Sequence, residues 1–189
     1  MGRPKGLLPW AGKPLLRHQV NVLLWSGVRE IAVILGEGAD DLEPLIDDDD
    51  HVRTIWNARH ASGRSSSAII GAQALGGYEA LMFCNLDQPL SLRLVEDLLR
   101  GAAAAPYCSI AVATLHGRRG HPVLIRRSLF PEVSSISESS EGLKAVIKKD
   151  PTRVLSVPTD SPNARLTFNT LDEYELAVQR MIGGELDAD

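Results

Sequence analysis

Five short stretches of this chain hold residue types able to do chemistry. Gly2-Arg3-Pro4-Lys5 sets a glycine turn ahead of a lysine. Such a turn offers backbone N–H groups and an ammonium to phosphate oxygens, and Pro4 stiffens it. From Asn57 onward, Gly63, Ser65, Ser66 and Ser67 precede an apolar helix, giving a helix N-terminus rich in hydroxyls and free N–H groups. Asp87, in Asn85-Leu86-Asp87-Gln88-Pro89, follows the apolar run 80–84. A carboxylate at the end of a buried strand projects into the strand-end crevice and needs a partner there. Mg2+ prefers one or two carboxylates plus phosphate oxygens, so one aspartate facing a triphosphate suffices. His121, in Gly120-His121-Pro122-Val123, stands near Arg118 and Arg119, which suit an anionic acceptor. Asn169 and Thr170 precede the last helix. Taken singly, each stretch also has a plainer reading: a solvated tail, an N-cap, a capping aspartate for the helix near Leu92, surface side chains, and a second helix cap.

The elements that must hold these residues alternate between helix and strand along nearly the whole chain. Leu15, Leu16, Val20, Leu23 and Leu24 recur at helical spacing behind Pro14, and Gly27 stops them. Apolar runs at 31–35, 52–56, 80–84, 109–114 and 154–157 read as strands, those at 31–35 and 80–84 buried on both faces. Helices are expected over 66–75, 92–99, 143–147 and 171–181. A shorter one around Leu42, Leu45 and Ile46 ends at the aspartates 47–50, a solvated turn. Residues 116–120 read as a loop before an extended 123–125. This alternation predicts a single-domain, three-layer α/β sandwich with a mainly parallel sheet. Ligands of such sheets bind beyond the carboxyl ends of the strands, where strand order reverses. That rule selects the segments after Leu35, Trp56 and Cys84, and the last two carry Asn57 and Asp87.

The 189 residues suffice for one domain with its own core. The net charge of -4, with both signs interspersed, supplies no basic stripe for nucleic acid. The apolar runs fall far short of the roughly 20 residues of a membrane span, and the first residues lack a signal-peptide pattern. Cys84 and Cys108 lack the paired spacing of a metal site and are expected as buried, reduced thiols on interior strands. A cytoplasmic protein with neither nucleic-acid nor membrane partner is the expectation.

Gly2-Arg3-Pro4-Lys5, followed by Leu7-Leu8-Pro9 and Gly12-Lys13-Pro14-Leu15-Leu16, resembles the signature of the molybdopterin-type, MobA-like nucleotidyltransferases. That signature reads L-A-A-G-x-S-x-R-M-G-x-P-K and continues L-L-L-P-x-x-G-x-P-L-L. Asn57, Gly63 and Ser67 are similar to the family pattern N-x(5)-G-x-x-x-S ahead of a helix. Asp87-Gln88-Pro89 and Gly120-His121-Pro122 resemble the cytidylyltransferase branch. The segment 167–174 resembles D-[IV]-[DN]-T-P-E-D-[YL], with Thr167 at the first acidic position and Leu171 at the proline.

The resemblance covers nearly the whole chain and implies transfer of CMP from CTP, or of another NTP's nucleotidyl group, to a phosphorylated molybdopterin-type acceptor, releasing pyrophosphate. It implies that Lys5 and Asp87 carry catalysis, with Gly2, Arg3 and Pro4 completing the phosphate loop. Asn57, Gly63, Ser65, Ser66 and Ser67 would contact the nucleotide, Arg118, Arg119 and His121 the acceptor, and Asp87 with Asn169 the Mg2+. A molybdoenzyme or its chaperone is the implied protein partner. The signature's first strand, its L-A-A-G turn and the Arg before Met-Gly fall upstream of Met1, so the natural start is expected upstream. In relatives that strand lies inside the sheet, and without it two strand edges stand exposed. Other readings stay open: a GTP- or sugar-phosphate-using transferase, a non-catalytic nucleotide- or cofactor-binding maturation protein, and redox use of the scaffold, which a bound flavin or nicotinamide would reveal.

Overall fold

The computed structural model describes residues 4–46 and 49–189; Gly2, Arg3, Asp47 and Asp48 lie outside them. The described chain opens with a hairpin of β1 (Pro9–Trp10) and β2 (Lys13–Pro14). Ala11 and Gly12 turn it with φ of 46° and 78°, the pair of positive values that a two-residue hairpin favours. Helix α1 (Leu15–Trp25) runs directly on from Pro14 and leaves through Gly27 at φ 79°, a left-handed exit. Then follow β3 (Ile31–Leu35), α2 (Ala39–Leu42), β4 (Val52–Trp56), α3 (Arg64–Ala74), β5 (Ala80–Phe83) and α4 (Leu92–Ala104). The second half contributes β6 (Ile110–Leu115), β7 (Arg118–Arg126), α5 (Phe130–Val133), α6 (Leu143–Lys149), β8 (Val154–Pro158) and α7 (Leu171–Ile182).

Among the described residues the main strands form two ladders. β3 and β4 pair in parallel, Ile31 against Val52 through Leu35 against Trp56. The other four pair in the order β5-β7-β6-β8. In that sheet β5, β6 and β8 run the same way, and β7 alone opposes them. The reversal has a local cause: His116 and Gly117, at φ 50° and 72°, fold β7 straight back onto β6 in a tight turn. Residues 118–120, expected in a loop, therefore lie on β7, with Thr114 opposite Arg119 and Leu115 opposite Arg118.

Helices cover both faces, which is why the apolar runs are continuous. On β6, Ile110 and Val112 enter a core with Ala72 of α3 and with Phe130, Val133 and Val146 from α5 and α6. Ala111 on the opposite face packs under Leu98 and Ala102 of α4, while Ala113 joins Leu16, Val20 and Leu94 from α1 and α4. The three-layer α/β sandwich follows from that period of two. A smaller core fastens the last helix to the first hairpin, where Trp10, Phe168 and Tyr174 stack in series with ring centroids 6.0 and 5.4 Å apart. The Tyr174 hydroxyl donates to the Pro9 carbonyl at 2.5 Å. Beyond α7, Asp187 accepts from the buried Ser91 and Ser161 hydroxyls. Neither cysteine lies on a strand: Cys84 follows β5 and Cys108 sits in the turn before β6, both partly buried and free. Burial pushes the Cys84 thiol up to about 12, so it stays protonated and inert.

Candidate active site

Lys5, Asp87 and Asn169, far apart in sequence, meet at the carboxyl ends of β3 and β5. Pro4 sets the approach of the first segment. Its ring occupies the space beside Gly38, where a Cβ would lie 2.5 Å from Pro4 Cγ and where φ is 78°. One turn of 3-10 helix, Lys5–Leu7, then directs the lysine across the crevice. Its Nζ donates to Asp87 Oδ2 at 3.3 Å, to the Phe168 carbonyl at 3.0 Å and to Asn169 Oδ1 at 3.3 Å. Asn169 reaches it because Thr170 and Glu173 form a reciprocal cap on α7. The Asn169 and Thr170 N–H groups both point at the Glu173 carboxylate, holding it below its ordinary range. Thr170 thus caps the helix, while the Asn169 side chain belongs to the site.

The loop bearing Asp87 is pinned from α1 by two side chains that sequence reasoning passed over. Buried Gln19 donates to the Asn85 carbonyl at 3.2 Å and the Gln88 carbonyl at 3.0 Å, and accepts from Leu90 N at 2.9 Å. Beside it, His18 Nε2 lies 2.9 Å from the Leu90 carbonyl, so this nitrogen carries the hydrogen; burial lowers the ring's pKa. The signal was present: a histidine and a glutamine interrupt the apolar stripe of α1, and buried polar groups are there to bond something. Gln19→Leu would strip the Gln88 carbonyl and the Leu90 N–H of these bonds and leave the Asn85 carbonyl with the Gln88 N–H. The expected loss is about 2 kcal/mol of unfolding free energy, read from urea unfolding, together with a weakened Asp87 site.

At the N-terminus of α3 the structure assembles the expected Asn57 cluster and spends it internally. Asn57, buried, donates to Ser66 Oγ at 2.9 Å and Ser67 Oγ at 3.0 Å, and accepts from Arg59 N at 2.9 Å. The Ser65 N–H donates to Glu138 Oε1 at 2.5 Å, and that bond lowers the carboxyl's pKa. Gly63 is required there, since a Cβ would fall 2.4 Å from Glu138 Cγ on a backbone at φ 106°. Asn57, Ser66 and Ser67 therefore shape the loop through their mutual bonds, and Glu138, which no local pattern marked, covers the helix end.

Two of the expected acceptor residues, Arg119 and His121, line a cavity of about 240 Å3 together with Gln88, Gly120, Ala164, Arg165 and Thr167. Arg118, next to Arg119 on β7, does not line it. Arg165 does, and its Nη1 donates to the Arg119 carbonyl at 3.0 Å. His121 is buried, with Nε2 2.7 Å from the Leu166 carbonyl. Burial, opposed by that hydrogen bond and by the Asp87 charge, lowers its pKa to about 4. The ring is therefore neutral at pH 7, with its hydrogen on Nε2. Because its pKa falls on folding from an unfolded value near 6.5, the stability it permits is full above about 6.5. That stability is lost as pH falls toward 4, by roughly 3 kcal/mol in all. Unfolding free energies measured between pH 4 and 7 are expected to show this slope. His121→Gln is expected to flatten it, leaving the parts due to His18 and, toward pH 4, to lowered carboxyls such as Glu138 and Glu173. A second cleft, of about 340 Å3 between α5 and α6, contains Glu132 and Lys149. Glu132 is already held by Arg153 at 2.7 Å and by Lys149 at 3.2 Å, so its charge is spent within the protein.

A cation, a carboxylate and an amide oxygen converge at strand ends next to an arginine-lined cavity. Such a set can neutralise and orient phosphate oxygens at the ligand-binding edge of an α/β sheet. The chain belongs to the MobA-like NTP transferase domain family, which matches residues 1–162, and is an enzyme of the nucleotidyltransferase class. It is 30% identical over 163 residues to nicotine blue oxidoreductase of Paenarthrobacter nicotinovorans, covering 80% of this chain and 76% of that protein. A nucleotidyl transferase from Methanothermobacter thermautotroptrophicus superposes with a TM-score of 0.79 at 21% identity, over 95% of this chain and 86% of its own. Rv0371c from Mycobacterium tuberculosis H37Rv superposes with a TM-score of 0.78 at 21% identity, over 95% and 91%. A manganese complex of Rv0371c gives 0.71 at 22% identity, over 94% and 93%. These structural likenesses establish the shared fold.

Among the described residues no three His, Cys, Asp or Glu side chains cluster as a metal site, and no helix is long and apolar enough to cross a membrane. Asp87 Oδ2 and Asn169 Oδ1 nevertheless converge on one ammonium. That hard-oxygen donor set fits a divalent ion completed by phosphate oxygens.

Proposed function

We propose that this protein transfers the CMP group of CTP to a phosphorylated molybdopterin-type acceptor, with release of pyrophosphate. The convergence of Lys5, Asp87 and Asn169 carries the reading. Asp87 and Asn169 would hold Mg2+, which supplies charge neutralisation on the phosphates when bound. The family resemblance of Gly2, Arg3 and Pro4 supports their part in the phosphate loop; Gly2 and Arg3 lie outside the described residues. Lys5, released from Asp87, reaches a phosphate oxygen from its flexible stem. Asn57, through Ser66 and Ser67, positions the nucleoside segment with Gly63 and Ser65. Arg119 and Arg165 bind the acceptor's anion and orient it for in-line attack. His121, neutral and with its Nε2 hydrogen committed to Leu166, lines the acceptor pocket as a hydrogen-bonding wall. Asp87-Gln88-Pro89 supports CTP over GTP by its resemblance to the cytidylyltransferase branch, and the manganese complex of Rv0371c supports a divalent ion. A molybdoenzyme or its chaperone would receive the product.

A second reading, an oxidoreductase on the same scaffold, is favoured by the relative named nicotine blue oxidoreductase. Calorimetric titration separates the two. CTP, GTP and ATP with Mg2+, and NADH and NADPH without it, are titrated into this chain. Selective CTP binding, followed by pyrophosphate release when the acceptor is added, supports nucleotidyl transfer. Binding of a nicotinamide nucleotide alone overturns it in favour of the second reading, and no binding of either kind removes both.

A further inference from the structure

The ammonium of Lys5 fills the place a metal ion would take. Its three hydrogens are matched by three oxygens: Asp87 Oδ2 at 3.3 Å, the Phe168 carbonyl at 3.0 Å and Asn169 Oδ1 at 3.3 Å. An ammonium has three donors and no more, so the lysine is fully coordinated, by both oxygens proposed for the divalent ion and by the Phe168 carbonyl. The local charge is also balanced, Asp87 offering one negative charge and Lys5 one positive. Glu173, a further carboxylate close by, is engaged by the Asn169 and Thr170 N–H groups.

We propose that Lys5 and the divalent cation compete for the Asp87–Asn169 oxygens, so that the metal enters only with a polyphosphate that draws Lys5 away. The inference rests on the nucleotidyl-transfer reading and deepens it. Adding a dication while Lys5 stays in place would leave two uncompensated positive charges in a crevice partly shielded from water, where like charges repel strongly. A polyphosphate chain removes the conflict on both sides: it supplies oxygens to the metal and anionic partners to the displaced ammonium. Lys5 thereby couples the two ligands, and metal without polyphosphate binds weakly. Such coupling is reciprocal, so polyphosphate without metal also binds weakly. Lys5 acts as a built-in stand-in for the ion, one that keeps Asp87 and Asn169 in position before any ligand arrives.

The test uses Mn2+ alone, with free Mn2+ followed by its electron paramagnetic resonance signal and binding heats measured in parallel. Lys5→Met, and Lys5→Gln as a second variant that keeps a polar tip, are expected to bind Mn2+ about tenfold or more tightly than the unmodified chain. That factor is the gain when a competitor occupying at least about nine-tenths of the molecules is removed. Adding Asp87→Asn to Lys5→Met is expected to abolish the gain. Equal Mn2+ affinity in all the proteins, or a gain that persists without Asp87, overturns the proposal. The two readings fail separately. If the Lys5 variants gain Mn2+ affinity while the unmodified chain ignores CTP, competition stands and nucleotidyl transfer falls. If CTP with Mg2+ binds and the variants gain nothing, nucleotidyl transfer stands and competition falls.

Discussion

Asp87→Asn is expected to lower kcat for nucleotidyl transfer by about 100- to 1,000-fold, the usual effect of deleting one preorganised electrostatic partner of a reacting phosphate. The substitution keeps the side chain's volume and leaves the Phe168 N–H bond to the residue-87 carbonyl untouched. It removes a single negative charge from between Lys5 and Asn169. Because the Lys5–Asp87 pair is partly open to water, the stability change is expected to stay below about 1 kcal/mol. Pyrophosphate release under saturating CTP and Mg2+, set beside urea unfolding of the same preparation, checks both halves. A loss of activity that merely tracked a loss of folding would deny Asp87 its place in the chemistry.

Gly120→Ala is expected to be the most damaging methyl group that can be added near the site. The new Cβ would lie 1.9 Å from the Ala164 carbonyl oxygen and 2.8 Å from its carbon. Both are backbone atoms, unable to step aside as a side-chain tip can, and Ala164 is wholly buried. The turn formed by Pro162–Arg165 must then separate from β7, loosening the Arg165 bond to the Arg119 carbonyl and the His121 bond to Leu166. Overpacking of this kind costs about 3 kcal/mol or more at an unyielding position, which for a chain of this size lowers Tm by roughly 6–12 °C. Acceptor binding is expected to fall further than CTP binding, because the displaced turn walls the arginine-lined cavity. Differential scanning calorimetry and parallel titrations of the two substrates provide the check.

Much of this architecture is readable from residue patterns where burial imposes a period. The run Ile31–Leu35 is apolar throughout because helices cover both its faces, and it forms β3 where expected. Asp87 stands out because a carboxylate directly after an apolar strand has few structural excuses. Legibility fails where structure is imposed from a distance. β1 and β2 are two residues each and contain prolines, so no period survives in them. The first half of β7 is Arg118-Arg119-Gly120-His121, a polar sequence made into strand by the His116–Gly117 turn and by pairing with β6. In the site, Gln19 meets its loop 66 to 71 residues away, and Glu138 meets Ser65 across 73. Arg165 joins Arg119 across 46. Contacts of that span leave no local signature. Gln19, like His18 beside it, was recoverable as a polar residue on a face that had to be buried.

The division of the strands into two ladders bears on how the site works as a mechanical object. Asn57 stands at the end of the β3–β4 ladder, while Asp87 and His121 ride on the other. Among the described residues no strand pairing bridges them. Apolar side chains of α1, α2, α4 and β3, Leu16, Leu42, Leu94 and Leu35 among them, pack in one cluster, and the Tyr78 hydroxyl ahead of β5 donates to the Glu30 carboxylate ahead of β3. Ladder hydrogen bonds fix register to the residue, whereas apolar contacts are non-directional and let packed layers slide by small amounts. The crevice thus spans two ladders that packing and a few side-chain hydrogen bonds, rather than strand pairing, hold together. A ligand gripped by Asn57 beyond β4 and by Asp87 beyond β5 would tie the two ladders together, so its expected signature in amide exchange is slowed opening at the carboxyl ends of β4 and β5, with the interior of each ladder unchanged.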